Sequence, residues 1–225
     1  MTTPFLKVVL AVLRKDFLAE VRSREIIGAM TLFALLSVLV FSFALQLNRT
    51  VRQEAVSGVL WVTVTFAIIT GFNRSSATER EGGSFDAMLL APVSRGAVFL
   101  GKALSNYLFA LVVGVVLLPL MTALYNVNLV TWGSLATLAA GLLGLAVAGT
   151  LLSIMTVQTR TRETLLPIVM LPVALPLLLL AVNATDRIVA GAPVSEWIGW
   201  LQLVGVLDMV YLALCYLLFD FIVEE

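Results

Sequence analysis

Between Lys102 and Arg160 the sequence carries no charged residue. Drawn as one α-helix at about 1.5 Å per residue, that run would be roughly 85 Å long, far more than the ~30 Å hydrocarbon core of a bilayer. It must fold back, and Asn126-Val127-Asn128 followed by Thr131-Trp132-Gly133 is the natural place. The Asn pair favours a turn, while Tyr125 and Trp132 suit a water interface. The run therefore divides into membrane spans over 103–125 and 133–157.

The rest of the chain repeats the pattern. Residues 26–47 and 55–72 are free of charge, and 164–185 and 197–219 are almost as apolar. With 60% hydrophobic and 12% charged residues and a mean hydropathy of +1.05 over 225 residues, the chain sits with integral membrane proteins. The expected class is all-α, a single permease domain over 1–225 with six transmembrane helices. A mixed-charge stretch instead of a short basic one precedes the first span, so that span is expected to insert uncleaved.

Orientation follows from Lys and Arg. Lys7, Arg14, Lys15, Arg22 and Arg24 precede the first span; Arg74, Arg80, Arg95 and Lys102 lie between the second and third, and Arg160 and Arg162 between the fourth and fifth. The other side holds only Arg49, Arg52 and Arg187. The positive-inside rule then puts both termini and the loop over 73–102 in the cytoplasm.

Composition also excludes chemistry. Lys plus Arg equals Asp plus Glu, 14 each, so charge points to no nucleic-acid partner. Histidine is absent, which removes the usual general base and metal ligand. The single cysteine, Cys215, has apolar neighbours and allows no internal disulfide or multi-cysteine metal site. There is no Walker A pattern and no His-Glu-x-x-His, and each polar segment is too short for a catalytic domain. No enzyme is expected, and no bound metal or cofactor. Three Asn-x-Ser/Thr triplets, at Asn48, Asn73 and Asn183, read as chance.

Four features remain that carry function. Residues 1–25 read as an amphipathic interfacial helix, with Leu6, Val9, Leu10, Leu13, Phe17 and Val21 on one face and Lys7, Arg14, Lys15 and Arg22 on the other; Glu20 falls at the apolar edge. In the long loop, Thr78-Glu79-Arg80-Glu81 has the form of a capping box, Gly82-Gly83 breaks it, and Ser84 caps a short helix to Leu90, closed by Ala91-Pro92. On that helix Phe85, Met88 and Leu89 share a face and Asp86 lies at the positive end of the dipole. The face suits a partner groove or the lipid headgroups. The fifth span contains Pro167, Pro172 and Pro176, which predicts a kinked or locally unwound helix, either a hinge or fixed packing. Asp208 is the one charge deep in any span, and such a residue faces a bundle interior or cavity, as a functional group or a polar tie. Gly141, Gly144, Ala148 and Gly149 form a small-residue packing face on the fourth span.

One family matches these residues. The loop with Glu79 to Glu81, Gly83-Ser84-Phe85-Asp86, Met88-Leu89-Leu90-Ala91-Pro92 and Arg95, running into Leu100-Gly101-Lys102 and Asn106, resembles the CcmB family. So does the fifth span from Leu166 to Leu178. CcmB is the membrane permease of the cytochrome c maturation system, also called haem exporter protein B. The resemblance implies an ABC-2-type exporter permease fold in a bacterial inner membrane. It implies a CcmA-like ATPase on the cytoplasmic face, so ATP acts through that partner, and association with CcmC-like and CcmD-like proteins and a CcmE-like haem chaperone. Ser84 to Leu90 becomes the coupling helix, with Glu79 and Glu81 for basic groups on the ATPase. Haem is then the transported or the chaperone-borne species, with ATP-driven release of the loaded chaperone the preferred reading. A homodimer within the complex stays open. So do two other functions: an ABC-2 permease exporting a lipid, drug or polysaccharide, and a passive scaffold of an assembly complex.

Overall fold

The computed structural model describes residues 4–45, 49–81, 93–156 and 162–222. Among them are seven helices and no strand: α1 (Phe5–Ser23), α2 (Glu25–Ala44), α3 (Arg49–Glu81), α4 (Arg95–Tyr125), α5 (Trp132–Thr156), α6 (Arg162–Val189) and α7 (Val194–Ile222). Helices α2 to α7 are each long and apolar enough to cross a membrane. The six expected spans are therefore present, three of them (α3, α4 and α6) lengthened by a turn or more at an end.

Helices α3 and α5 form the interior of the bundle. In their most apolar stretches 72% and 67% of residues are buried, against 22% in α2 and 17% in α7. Helix α3 touches α2, α4, α5 and α6, and α5 touches α4, α6, α7 and α3. The outer helices turn Leu32, Leu36 and Val40 of α2, and Val206, Met209 and Leu217 of α7, away from the bundle. Apolar faces of this kind meet lipid without penalty.

The small residues of α5 are sockets for large side chains. A Cβ on Gly141 would strike the Trp61 ring, one on Gly149 the Phe72 ring, and one on Gly144 both Asp208 and Leu177. Trp61, 1% exposed, also donates its indole N–H to Thr185 Oγ1 at 2.9 Å, tying α3 to α6. Such a hydrogen bond in an apolar interior fixes register as well as contributing about 1 kcal/mol.

The turn after α4 falls where the Asn pair predicts. Asn126 adopts a left-handed conformation (φ 53°) as the C-cap of α4, and Thr131 Oγ1 accepts the Ser134 N–H at 3.2 Å to start α5. The two residues expected at the interface differ. Trp132 is 87% exposed, but Tyr125 is fully buried in the core.

Two further expectations change. The Thr78 to Glu81 capping box starts nothing, because α3 runs unbroken from Arg49 through Glu81. A capping box needs a preceding break, and here the helix arrives already formed. The three prolines of α6 do not unwind it either: Arg162–Val189 is one continuous helix holding all three. Pro172 and Pro176 lie on its exposed side, where their rings avoid the neighbouring helices.

Candidate functional site

The N-terminal helix is anchored by charge. On α1 the inward positions are Val8, Val9, Val12, Asp16 and Glu20, close to a four-residue repeat along one face. The three valines pack on the start of α4, where Gly101 leaves room for Val12. Of the predicted apolar stripe, only Val9 is fully buried; Leu6, Leu10, Phe17 and Val21 point outward, where a membrane interface would meet them. The helix is therefore two-faced, with protein on one side and an apolar flank on the other.

Asp16 reaches Lys102 on α4, with Oδ2 3.4 Å from Nζ, and Lys15 Nζ lies 3.2 Å from its other oxygen. The Lys102 side chain is 4% exposed. Sequence reasoning placed Lys102 among loop charges and did not see this pair, since nothing local links positions so far apart in the chain.

Glu20 explains its own misplacement. It is 4% exposed, and its carboxylate accepts the backbone N–H groups of Ile26 at 3.2 Å and Ile27 at 2.8 Å. Those are among the first amides of α2, which have no partner inside their helix. Arg24, left-handed at φ 55°, closes α1 and opens α2, so the acid one turn back does the work of an N-cap. An acid at an apolar edge one turn before a helix break was the available signal.

Asp208 occupies the middle of α7 and is 5% exposed. Its Oδ1 lies against Gly144 of α5 beside Leu177 of α6, at the junction of three helices. No hydrogen bond of acceptable geometry reaches that oxygen among the described residues. Tyr107 of α4 and Tyr211 of α7 are within electrostatic reach of the carboxyl. The Tyr211 hydroxyl donates to the Val173 carbonyl at 2.6 Å, tying α7 to α6. Of the three prolines, Pro172 immediately precedes Val173 at this α6–α7 tie, whereas Pro167 and Pro176 lie further from it in the chain. Asn106, which donates to Thr150 Oγ1 at 2.9 Å, links α4 to α5 nearby in sequence to Lys102. The arrangement offers one buried acid and hydroxyls in a close-packed interior. It can hold a proton or pin helices together; the described residues contain no cluster of His, Cys, Asp or Glu fit for a metal ion.

Glu79 and Glu81 belong to the last turn of α3, which extends beyond the apolar stretch Glu54–Ser75. The predicted coupling residues Ser84, Phe85, Asp86, Met88 and Leu89 lie outside the described residues. The helices on either side of them are built into the bundle: α3 through its interior, and α4 through Ala97 and Val98 against α1.

The model of the CcmB protein family matches residues 7–221, nearly the whole chain and all seven helices except the outermost residues. The chain belongs to the CcmB family. Three relatives, each called heme exporter protein B, agree with that placement. The protein of Bradyrhizobium diazoefficiens is 26% identical over 184 residues, covering 80% of this chain and 82% of the relative. That of Rhodobacter capsulatus is 27% identical over 178 residues (79% and 82%), and that of Pseudomonas aeruginosa 25% over 181 residues (80% and 81%). As a CcmB protein it is a multi-pass membrane protein of the transporter class.

Proposed function

We propose that this chain is the permease subunit of a haem-export and cytochrome c maturation complex, driven by a separate ATPase subunit docked on the coupling helix Ser84–Leu90. The observation that carries the reading is the CcmB match over residues 7–221, with relatives named for haem export. The course of α3 supports the coupling step. At 33 residues it is roughly 50 Å long. One unbroken rod thus joins the interior of the bundle to the segment where Phe85, Met88 and Leu89 would meet the ATPase. The sequence has no nucleotide-binding motif of its own, so ATP is used by the partner. Both termini and this segment then face the cytoplasm of the inner membrane, as the distribution of Lys and Arg favours.

Within that reading the chain acts by mechanical coupling, helping to release the haem-loaded chaperone from CcmC-like and CcmD-like partners. A chain without histidine has few strong haem ligands to offer. Replacing Phe85 and Met88 by Glu tests the docking step. If each apolar side chain contributes about 1.5–3 kcal/mol, the pair weakens ATPase docking roughly 10²- to 10⁴-fold. Stimulated ATP hydrolysis in the reconstituted complex should fall to the level of the ATPase alone, with the variant still inserted. Unchanged stimulation would refute the coupling role.

A further inference from the structure

The elbow between α1 and α2 leaves an open groove of about 610 Å³, within the ~300–1,000 Å³ range of ligand pockets. Its α2 wall is formed by Gly28, Thr31, Leu32 and Leu35, a single stripe at i, i+3, i+4 and i+7. Phe17 of α1 and Phe109 of α4, whose ring centroids lie 5.8 Å apart, form the other side. The stripe descends roughly 10 Å along α2 from Gly28 to Leu35. Arg24 stands at the mouth, immediately before the span begins at Glu25.

Charge distinguishes the mouth from the groove. Glu20 also lines it, but its carboxylate is taken up by the Ile26 and Ile27 amides, and Glu25 pairs with Arg74 at 2.8 Å. Among the described residues no carboxylate pairs with Arg24. Arg14, Lys15 and Arg22 lie on the same helix, so this end of the bundle is basic. A guanidinium with no carboxylate partner among the described residues, placed just before the span and beside an open apolar groove, matches one ligand chemistry. We propose that the elbow binds an anionic phospholipid, with one acyl chain along Gly28, Thr31, Leu32 and Leu35 and its phosphate on Arg24. Guanidinium suits phosphate because its donors form a planar fork. The groove suits haem less: none of its lining residues is a Met, Cys, Tyr or His able to take the iron. Bound lipid would fill the space between two helices that touch only weakly, and so set the angle of the elbow.

Gly28 provides a clean test, because a Cβ added there meets nothing within 4 Å. The Gly28→Leu side chain enters the groove without striking protein, and leucine is a better helix former than glycine. The full chain, purified in detergent with equal phosphatidylglycerol and phosphatidylcholine, is examined by native mass spectrometry. Phosphatidylglycerol should be retained over phosphatidylcholine by about fivefold, the effect of one basic residue on an anionic headgroup. Arg24→Gln should bring that ratio close to one, and Gly28→Leu should remove the retained lipid with the melting temperature kept. Equal retention of the two lipids, or the same retention in Gly28→Leu, overturns the proposal. So does a haem absorption band, or self-association of the chain, that Gly28→Leu abolishes, since either would name a different occupant.

Discussion

Replacing Asp16 by Ala should be among the most damaging single changes outside the core. Asp16 Oδ2 lies 3.4 Å from Lys102 Nζ, and the two side chains are 12% and 4% exposed. At an effective dielectric of about 20 the attraction at that distance is roughly 5 kcal/mol. Desolvation of the two ions takes back several kcal/mol, so the pair as a whole contributes little net stability. Removing the carboxylate alone is different, because the ammonium stays buried. It also stays close to Lys15. A loss of about 3–5 kcal/mol is expected, which for a chain of this size is roughly 6–20 °C in melting temperature. Lys102→Met should cost less, since Lys15 Nζ remains 3.2 Å from Asp16 Oδ1. Joined to Asp16→Ala, it should recover much of the loss, a coupling of about 2–3 kcal/mol. Thermal unfolding of the four proteins in one detergent measures the cycle. If Asp16→Ala melts like the parent, or the two losses simply add, the argument that Asp16 holds α1 onto α4 through this pair is wrong.

Three other changes bear on the remaining contacts. Glu20→Ala removes the acceptor for the Ile26 and Ile27 amides and should cost about 1–2 kcal/mol, with faster hydrogen exchange confined to the start of α2; slow exchange there would mean that another group caps the helix. Gly141→Ala presses a methyl onto the Trp61 ring and should cost about 1–3 kcal/mol, relieved when Trp61 is also replaced by Leu; loss without relief would place the strain elsewhere. Asp208→Asn keeps the side chain's shape, so the protein should insert in normal amount while cytochrome c production falls in a complementation assay. Normal production would make Asp208 a packing residue.

Hydropathy carried the span count because each span's own composition decides whether it enters a bilayer, and all six were legible. So was the turn at Asn126, which needs only a local left-handed residue. Reading failed where tertiary context decides. Tyr125 has the composition of an interface residue, yet its neighbours in space bury it completely. Thr78 to Glu81 has the letters of a helix start, but α3 had no reason to stop before it. On α1 the apolar stripe was read as meeting the membrane surface, and its outward residues allow that; what the sequence did not show is that α4 buries the valines and the acids beside them. Lys102 is the extreme case: a lysine at the end of a polar loop looks solvated, and only the docking of α1 shows that it is not. Asp208 was legible as buried, because a charge amid apolar residues has few alternatives. The glycines of α5 were legible as a packing face, but not that Asp208 is the side chain resting on Gly144, because one sequence does not pair a face with its partner.

The ties that hold the helices are unevenly spread, and that bears on how force could travel. Helices α3, α5 and α6 are joined by Trp61 with Thr185, by Trp61 and Phe72 in their glycine sockets, and by Leu177 against Gly144. These are large rings and side chains in fitted spaces, which resist small displacements. Helix α1 meets α2 only weakly, and the two are joined at Arg24 by one carboxylate bonded to two amides. If an ATPase pushes on the proposed coupling helix Ser84–Leu90, the push enters α3 and α4 together. The α3–α5–α6 block should then shift as a unit. Helix α1 would follow α4 through Asp16 and Lys102, and the difference in motion would be taken up at the elbow. A bridge or added side chain that locks α1 to α2 would then hinder coupling more than one placed between α3 and α5, which already move together.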